Sequence, residues 1–548
     1  MTLLLKEKDQ EIDQRPEEQS LSLNDRALDS AGDDVAASGA EADKEPRAAK
    51  PDDLFAVDSL VVGVVAMAAM TVVQKGIGFV RGIAFGCWLD DGELGRWSLA
   101  ISFLNLAAPL IVLGLPGTFG RYLGEFFDRG HMRAFLTRAL AFSAVTAAIG
   151  IGGFLAFADQ ASWLFFGAAN ERSLVIATAL ALLGVLALNT SSEIFTSLRV
   201  NRLVSSMQFL HATVFALLSV GFLAAGYGSA ELLIAVYGIA AAVAAVPGIR
   251  MLAVRWQRIP AAEDSPAWNQ VGRKLAAMAF WIWVVNLLAN LFDAADRYVL
   301  VHFGGLGAEA AQALVGQYQS SLLLPSLLIG MGTAFGGAML PHLARSRSAG
   351  DLAGAGKTLV TATKLIVVLF VVAGFAALWC GPFLFDLLWR GKFAAGENVL
   401  GLALMHGVWL SAAFLVQNWL WCVEKARFGA LAFLLGLIMN VALNVALAPI
   451  FGLPGVVVAT LAGDGVALIV LLYVNRRYGL RTPLALWLAL LMPLTLAAGT
   501  LYGTAIFGLA LAACLLRGNL ILPEELQQVR GLVSGTLARF RSSSAPSA

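Results

Sequence analysis

Charge is the first thing this chain lacks. Only 14% of its 548 residues are Asp, Glu, Lys or Arg, against 58% hydrophobic, where a soluble domain carries about a quarter charged residues. Apolar runs of about 20 residues recur from Val57 to Leu516. They exclude a soluble globule and predict an all-α polytopic membrane protein. Cysteine is scarce too. Cys87, Cys380, Cys422 and Cys514 stand apart, with no CxxC or Cys/His cluster, so neither a disulfide framework nor a metal site is expected. Large loops are absent: the longest predicted outer loop runs only from Gly381 to Glu397. With no extramembrane domain to house a catalytic centre, the chain is not read as an enzyme, and no cofactor or nucleic-acid partner is expected. The stretch "DLAGAGKT" (351–358) imitates a phosphate-binding loop. It has Asp351 where the motif needs Gly, and it lies between membrane helices rather than after a strand, so ATP does not drive the protein.

About fourteen spans are expected. The first covers 57–86 and the second 97–120; the seventh covers 275–301 and the eighth 312–339; the last two, 483–498 and 501–516, form a hairpin around Gly499 and Gly503. Nineteen Lys/Arg fall in the even-numbered connections and four in the odd-numbered ones. The positive-inside rule then puts both termini in the cytoplasm of a bacterial inner membrane. Residues 1–55 form an acidic tail; 1–56 hold 7 Lys/Arg against 15 Asp/Glu, a composition that predicts disorder. The remaining expected units are a six-helix lobe at 56–256, a cytoplasmic linker at 257–274, a second six-helix lobe at 275–477, the extra hairpin at 482–517 and a cytoplasmic tail at 518–548.

The two lobes read as a duplication. "GELGRWSLAISFLNLAAPLIVLGLPGTFGRYL" (92–123) is similar to "ALVGQYQSSLLLPSLLIGMGTAFGGAMLPHL" (313–343) at a shift of 221, which matches Gly95 to Gly316 and Trp97 to Tyr318. Because each half has six spans, both enter the bilayer from the same side. They are parallel repeats about an axis along the membrane normal, an arrangement that suits rocking around a central site.

Ionisable residues inside spans are the candidate site. Each costs at least about 2.5–3.5 kcal/mol at mid-membrane, so it faces a wet cavity or a partner. Lys75 lies roughly 27 Å along the first helix from Val57, and Arg81 lies nearer the outer interface. The 221 shift sets Asp296 opposite Lys75, and Asp293 and Arg297 share its depth. Three readings compete: snorkelling to the headgroups, a static ion pair between the lobes, and a cavity for an anionic substrate. Asp464, in "TLAGDGVALIV", has no neighbouring cation in sequence and is read as an ion-coupling or gate residue, with Asn440 or Asn444 as alternative partners. Arg121 closes the second helix, either as a headgroup contact or as an anchor.

"KGIGFVRGIAFG", "GELGRWSLAISFLNLAAPLIVLGLPGTFGRYLGEF", "DRYVL" with "VGQYQSS", and "NVALNVALAPIFGLPGVVVATLAGDGVALIV" resemble the polysaccharide flippases. These are the Wzx-like branch of the multidrug/oligosaccharidyl-lipid/polysaccharide (MOP) exporter superfamily, and the resemblance covers roughly 57–478. It implies flipping of a polyprenyl-diphosphate-linked oligosaccharide, a polysaccharide repeat unit, from the inner to the outer leaflet by alternating access. The implied cavity is cationic, with Lys75, Arg81, Arg297 and Arg121 as substrate contacts. Asp293, Asp296 and Asp464 are expected at a gate or in coupling to H+ or Na+. On this reading Lys75 and Arg81 pair with Asp293 or Asp296 while the outer gate is closed. A polysaccharide polymerase and export machinery would be further partners. The alternatives are a lipid II flippase, whose branch shares the fourteen-helix form, and a cation-coupled multidrug exporter.

Overall fold

The computed structural model describes residues 60–113, 130–259 and 268–516, with 118, 119, 123 and 126 between the first two segments. The acidic tail, Arg121 and residues 260–267 of the expected linker lie outside them. The described residues are helical throughout, without a strand. In chain order the helices are α1 (Leu60–Trp88), α2 (Asp91–Ile111), α3 (Met132–Ala156), α4 (Ala158–Phe166), α5 (Arg172–Ser197), α6 (Asn201–Ala224), α7 (Ala230–Arg255), α8 (Trp268–Phe303), α9 (Ala308–Ser321), α10 (Leu323–Ser348), α11 (Leu352–Pro382), α12 (Ala394–Asn398), α13 (Leu400–Cys422), α14 (Ala426–Phe451), α15 (Leu453–Arg477), α16 (Leu484–Leu491) and α17 (Thr500–Leu516). Among the described residues nine helices are long and apolar enough to cross a bilayer, and the bent pair α9–α10 makes a tenth. α1 and α8, at 29 and 36 residues, also have the length to cross at about 1.5 Å per residue. The chain is a multi-pass membrane protein.

Local chemistry sets the boundaries. Asp90 caps α2, its side chain accepting the Glu93 N–H at 2.7 Å, and Ser229 caps α7. Asp351 caps α11 by accepting from the Gly354 N–H at 2.7 Å. The phosphate-loop look-alike is therefore the opening turn of a helix, and its Asp is there to satisfy an orphan donor. The eighth span, expected as one helix over 312–339, breaks at Leu322 with a bend of 52°. Pro325 explains the break: it has no N–H to give Ser321, and its ring crowds that carbonyl. The loop expected over 381–397 is largely ordered, as a π-helical turn at Phe383–Leu388 and then α12. The first arm of the C-terminal hairpin runs as α16 and then as a 3-10 helix, Met492–Ala498, that ends on Gly499 at φ +79°. That left-handed angle suits glycine.

Lipid is as apolar as leucine, so helices in a bilayer associate through close packing and polar contacts instead of burial from water. The glycines show where. A methyl on Gly184 of α5 would overlap the Gly238 carbonyl of α7, and one on Gly436 of α14 would lie 2.7 Å from the Gly463 carbonyl of α15. α2 and α9, which the 221 shift makes equivalent, cross each other. There a methyl on Gly95 would overlap the carbonyl oxygen of Gln312, and one on Gly316 would overlap that of Asp91. The two clashes are images of each other at the same shift. Ser98 and Gln319, also 221 apart, hydrogen-bond directly at 2.8 Å. The symmetry axis therefore passes between α2 and α9.

Candidate functional site

A cavity of about 300 Å³ lies between α1, the start of α2 and the bent pair α9–α10, with Trp389 in its wall. α1 presents Gln74, Lys75, Gly78, Arg81, Gly82 and Phe85 to it. That spacing of three and four places them on one helical stripe. The glycines keep this stripe low: a methyl on Gly82 would overlap Leu323 of α10. Lys75 lies along α10, where Gly330 makes room for it; a methyl there would be 2.8 Å from Lys75 Cε. Arg81 is held by aromatic faces, its guanidinium carbon 4.4 Å from the Phe215 ring centre and 5.7 Å from that of Phe85. Its Nε is buried without a hydrogen-bond partner among the described residues. The indole N–H of Trp97, another wall residue, is buried in the same condition. None of the lining residues is acidic. Among the described residues, the cavity lining thus offers donors and positive charge and includes no carboxylate.

Two polar networks lie beside it. Asp296, on α8, is 2% exposed. Its carboxylate accepts from Tyr318 Oη at 2.6 Å and Thr460 Oγ1 at 2.8 Å on one oxygen. On the other it accepts from Asn440 Nδ2 at 2.9 Å and Asn444 Nδ2 at 2.6 Å. Arg297, the next residue, points to the other half. Its Nε donates to Ser98 Oγ at 2.9 Å, and its Nη2 to Gln319 Oε1 at 3.1 Å. Neighbouring residues on α8 thus meet neighbouring residues on α9: Asp296 with Tyr318, and Arg297 with Gln319. The second network is His406 of α13 with Asp464 of α15, Nδ1 to Oδ2 at 2.6 Å. Among the described residues, the other Asp464 oxygen and Asn444 Oδ1 are buried acceptors without a donor.

This placement corrects several expectations. Asp296 does not pair with Lys75 or Arg81. Its oxygens are consumed by four donors inside its own half, so it cannot serve as the counter-charge of the proposed gate. The 221 shift relates the two positions by symmetry, which matches depth and does not imply contact. Arg297 does not line the cavity; it touches the cavity wall through Gln319. Asp464 is partnered by His406, and Asn440 and Asn444, the expected partners, serve Asp296 instead. The side chain of Asp293 lies outside the described residues, as does Arg121. Lys75 and Arg81 both reach the cavity. Sequence reasoning passed over Gln319, Trp97 and Trp389, which carry no charge. It also passed over Lys364, buried within α11, which was legible as a lysine in an apolar run.

No family model matches the chain, and no curated protein sequence matches it. Solved structures do. The lipid II flippase MurJ in an inward closed conformation superimposes with a TM-score of 0.64 at 11% identity, covering 82% of this chain and 97% of that one. The fold is that of the MOP transporters. A multidrug resistance MATE transporter of the MOP superfamily superimposes in its inward-facing conformation with a TM-score of 0.55 at 13% identity, over 76% of this chain and 98% of that one. The outward-facing conformation of a MATE transporter gives 0.52 at 15% identity, over 76% of this chain and 95% of that one. The MOP fold has been captured in both facing states in MATE transporters, and this chain shares it at identities where only architecture is comparable.

Proposed function

We propose that this protein is a flippase. It moves the anionic headgroup of a polyprenyl-diphosphate-linked oligosaccharide, a polysaccharide repeat unit, from the inner to the outer leaflet by rocking its two halves about the α2–α9 axis. The observation that carries this reading is Arg81. A guanidinium stacked on Phe215 and Phe85, with a buried Nε lacking an acceptor, is a donor in search of an anion. It shares with Lys75 a cavity whose described lining residues are all non-acidic. A diphosphate supplies charge and acceptor oxygens that suit both, and the flat fork of Arg and the point charge of Lys read them differently. A multidrug exporter of organic cations would be served by an acidic wall, and none of the described residues lining this cavity is acidic. Lipid II, the cargo of the flippase that this fold resembles, has the same headgroup linkage and is the second reading.

Coupling belongs to the Asp296 and His406–Asp464 networks. Asn444 Oδ1 and the second Asp464 oxygen are buried acceptors without a donor among the described residues, the kind of oxygen that a Na+ ion takes as ligand, and the His406–Asp464 pair suits a proton. The deciding experiment is depletion of the protein in its host, followed by mass spectrometry of polyprenyl-linked lipids. Accumulated diphosphate-linked repeat units with loss of surface polymer support the first reading. Accumulated lipid II selects the second. Unchanged glycolipids while the host makes its polymers overturn both and leave drug export.

A further inference from the structure

Asp296 is not the partner of Lys75, and the Asp293 side chain, the other expected partner, lies outside the described residues; a different contact between the halves lies at the end of α1. The segment Trp389–Phe393 leaves the second half of the molecule, turns sharply through Arg390 at φ +55° and Gly391 at φ +71°, and lands on the end of α1. Lys392 Nζ donates to the carbonyls of Cys87 at 2.9 Å, Leu89 at 3.2 Å and Gly86 at 3.3 Å. An ammonium has three donors, and here all three meet the negative end of a helix in the opposite half. Trp389 Nε1 donates to the Ile83 carbonyl at 3.1 Å, and its ring fills the space that Gly86 leaves by having no side chain. Gln317 of α9 ties the segment down, donating to the Lys392 carbonyl at 2.8 Å and to Asp91 Oδ2 at 3.1 Å. Trp389 is also a wall of the cavity that Arg81 faces.

We infer that Trp389 is a ligand-contacting residue of the cavity and that Trp389–Phe393 is the outer closure it controls. A headgroup drawn to Arg81 fills the space against which the indole rests. Moving the indole off Gly86 breaks its bond to Ile83 and drags Lys392 from the α1 carbonyls. That frees the two halves to part at this end. The inference rests on the transport reading above, with this end placed outside by the Lys/Arg bias of the connections.

The test is reaction of a single cavity cysteine, Ser326→Cys, with a membrane-impermeant maleimide, in a chain whose four native cysteines are alanine. Added outside intact cells, the reagent reacts slowly with the parent. Lys392→Met, which removes the ammonium from the helix end, and Trp389→Phe, which removes the indole N–H and shrinks the ring against Gly86, each speed the reaction by roughly fivefold, the ratio that about 1 kcal/mol of lost closure gives. From the cytoplasmic side of inverted vesicles the same variants react more slowly. A rate unchanged in both variants overturns the closure. So does a rise from both sides, which marks simple loosening. Undecaprenyl diphosphate added to the parent speeds the outside reaction and adds nothing in Lys392→Met. If it leaves the parent unchanged while Lys392→Met opens, the closure stands, and both the anionic-lipid reading and the ligand-contacting role of Trp389 fail.

Discussion

Asp296 offers a sharp separation of structure from function. Replacing it with alanine removes the acceptor for four buried donors. Each orphaned donor costs about 1–3 kcal/mol, or roughly 4–12 kcal/mol if none re-pairs. Three of the four have second acceptors within reach: Thr460 already bonds the Val456 carbonyl at 3.0 Å, Asn440 Nδ2 is 3.4 Å from Thr460 Oγ1, and Asn444 Nδ2 is 3.2 Å from Asn440 Oδ1. The cost should therefore fall near the low end, about 4 kcal/mol. Asp296→Asn is different. Its amide oxygen can keep the two Asn donors, and the Tyr318 and Thr460 hydroxyls can rotate to accept from its NH2 group. Stability should change by only about 1–2 kcal/mol. The charge is lost, however, and at an effective dielectric of about 20 a unit charge 4 Å away is worth about 4 kcal/mol. Cation affinity should fall by roughly three orders of magnitude. The assay is thermal unfolding of the purified protein across NaCl and across pH, with KCl matching ionic strength. The wild type should gain stability with Na+, or shift with pH, as expected for a ligand that binds only the folded state. D296N should unfold near the wild-type temperature without that response, and D296A well below it. A D296N variant that keeps the response, or falls as far as D296A, would refute the assignment.

Three further predictions follow from the geometry. Lys75→Asp should abolish transport, and adding Asp296→Lys should not restore it, because the two are not partners; rescue in a flipping assay would reinstate Asp296 as the partner of Lys75. Arg81→Lys should lose transport nearly as fully as Arg81→Gln, since an ammonium cannot keep the flat stack on Phe215; near-normal export with Arg81→Lys would show that charge alone suffices. Gly95→Ala and Gly316→Ala each put a methyl into a facing carbonyl, an overpacking of about 1–3 kcal/mol. Each should weaken the α2–α9 crossing and raise outside labelling of the cavity by about 5- to 150-fold, and equal labelling in both variants and parent would mean that the crossing does not close this end.

Much of this was legible in the sequence for physical reasons. The bilayer forces unbroken helices and makes every embedded charge conspicuous, so Lys75 and Arg81 could be named from their surroundings. The glycines of the duplicated stretch were legible because close approach of backbones needs them. The sequence does not carry which symmetric mates touch. Ser98 and Gln319 do, because they lie on the axis. Lys75 and Asp296 do not, because they lie away from it. Asp296 found amides and hydroxyls on α14 and α15, residues too common in membrane helices to stand out. Trp389 was hidden because its position depends on a turn with two left-handed residues, one of them Arg390, that no periodicity announces.

The crossing at the axis has a consequence for origin. Asp91 and Gly95 on one helix meet Gln312 and Gly316 on the other as a self-complementary patch, the geometry of an isologous dimer. A chain half this length, carrying one such helix, would have needed no new surface to pair with a copy of itself. Joining two such copies would turn an association that depends on concentration into one fixed within a single chain. It would also let the mates at 75 and 296 diverge into a lysine that faces the cavity and an aspartate that turns away from it.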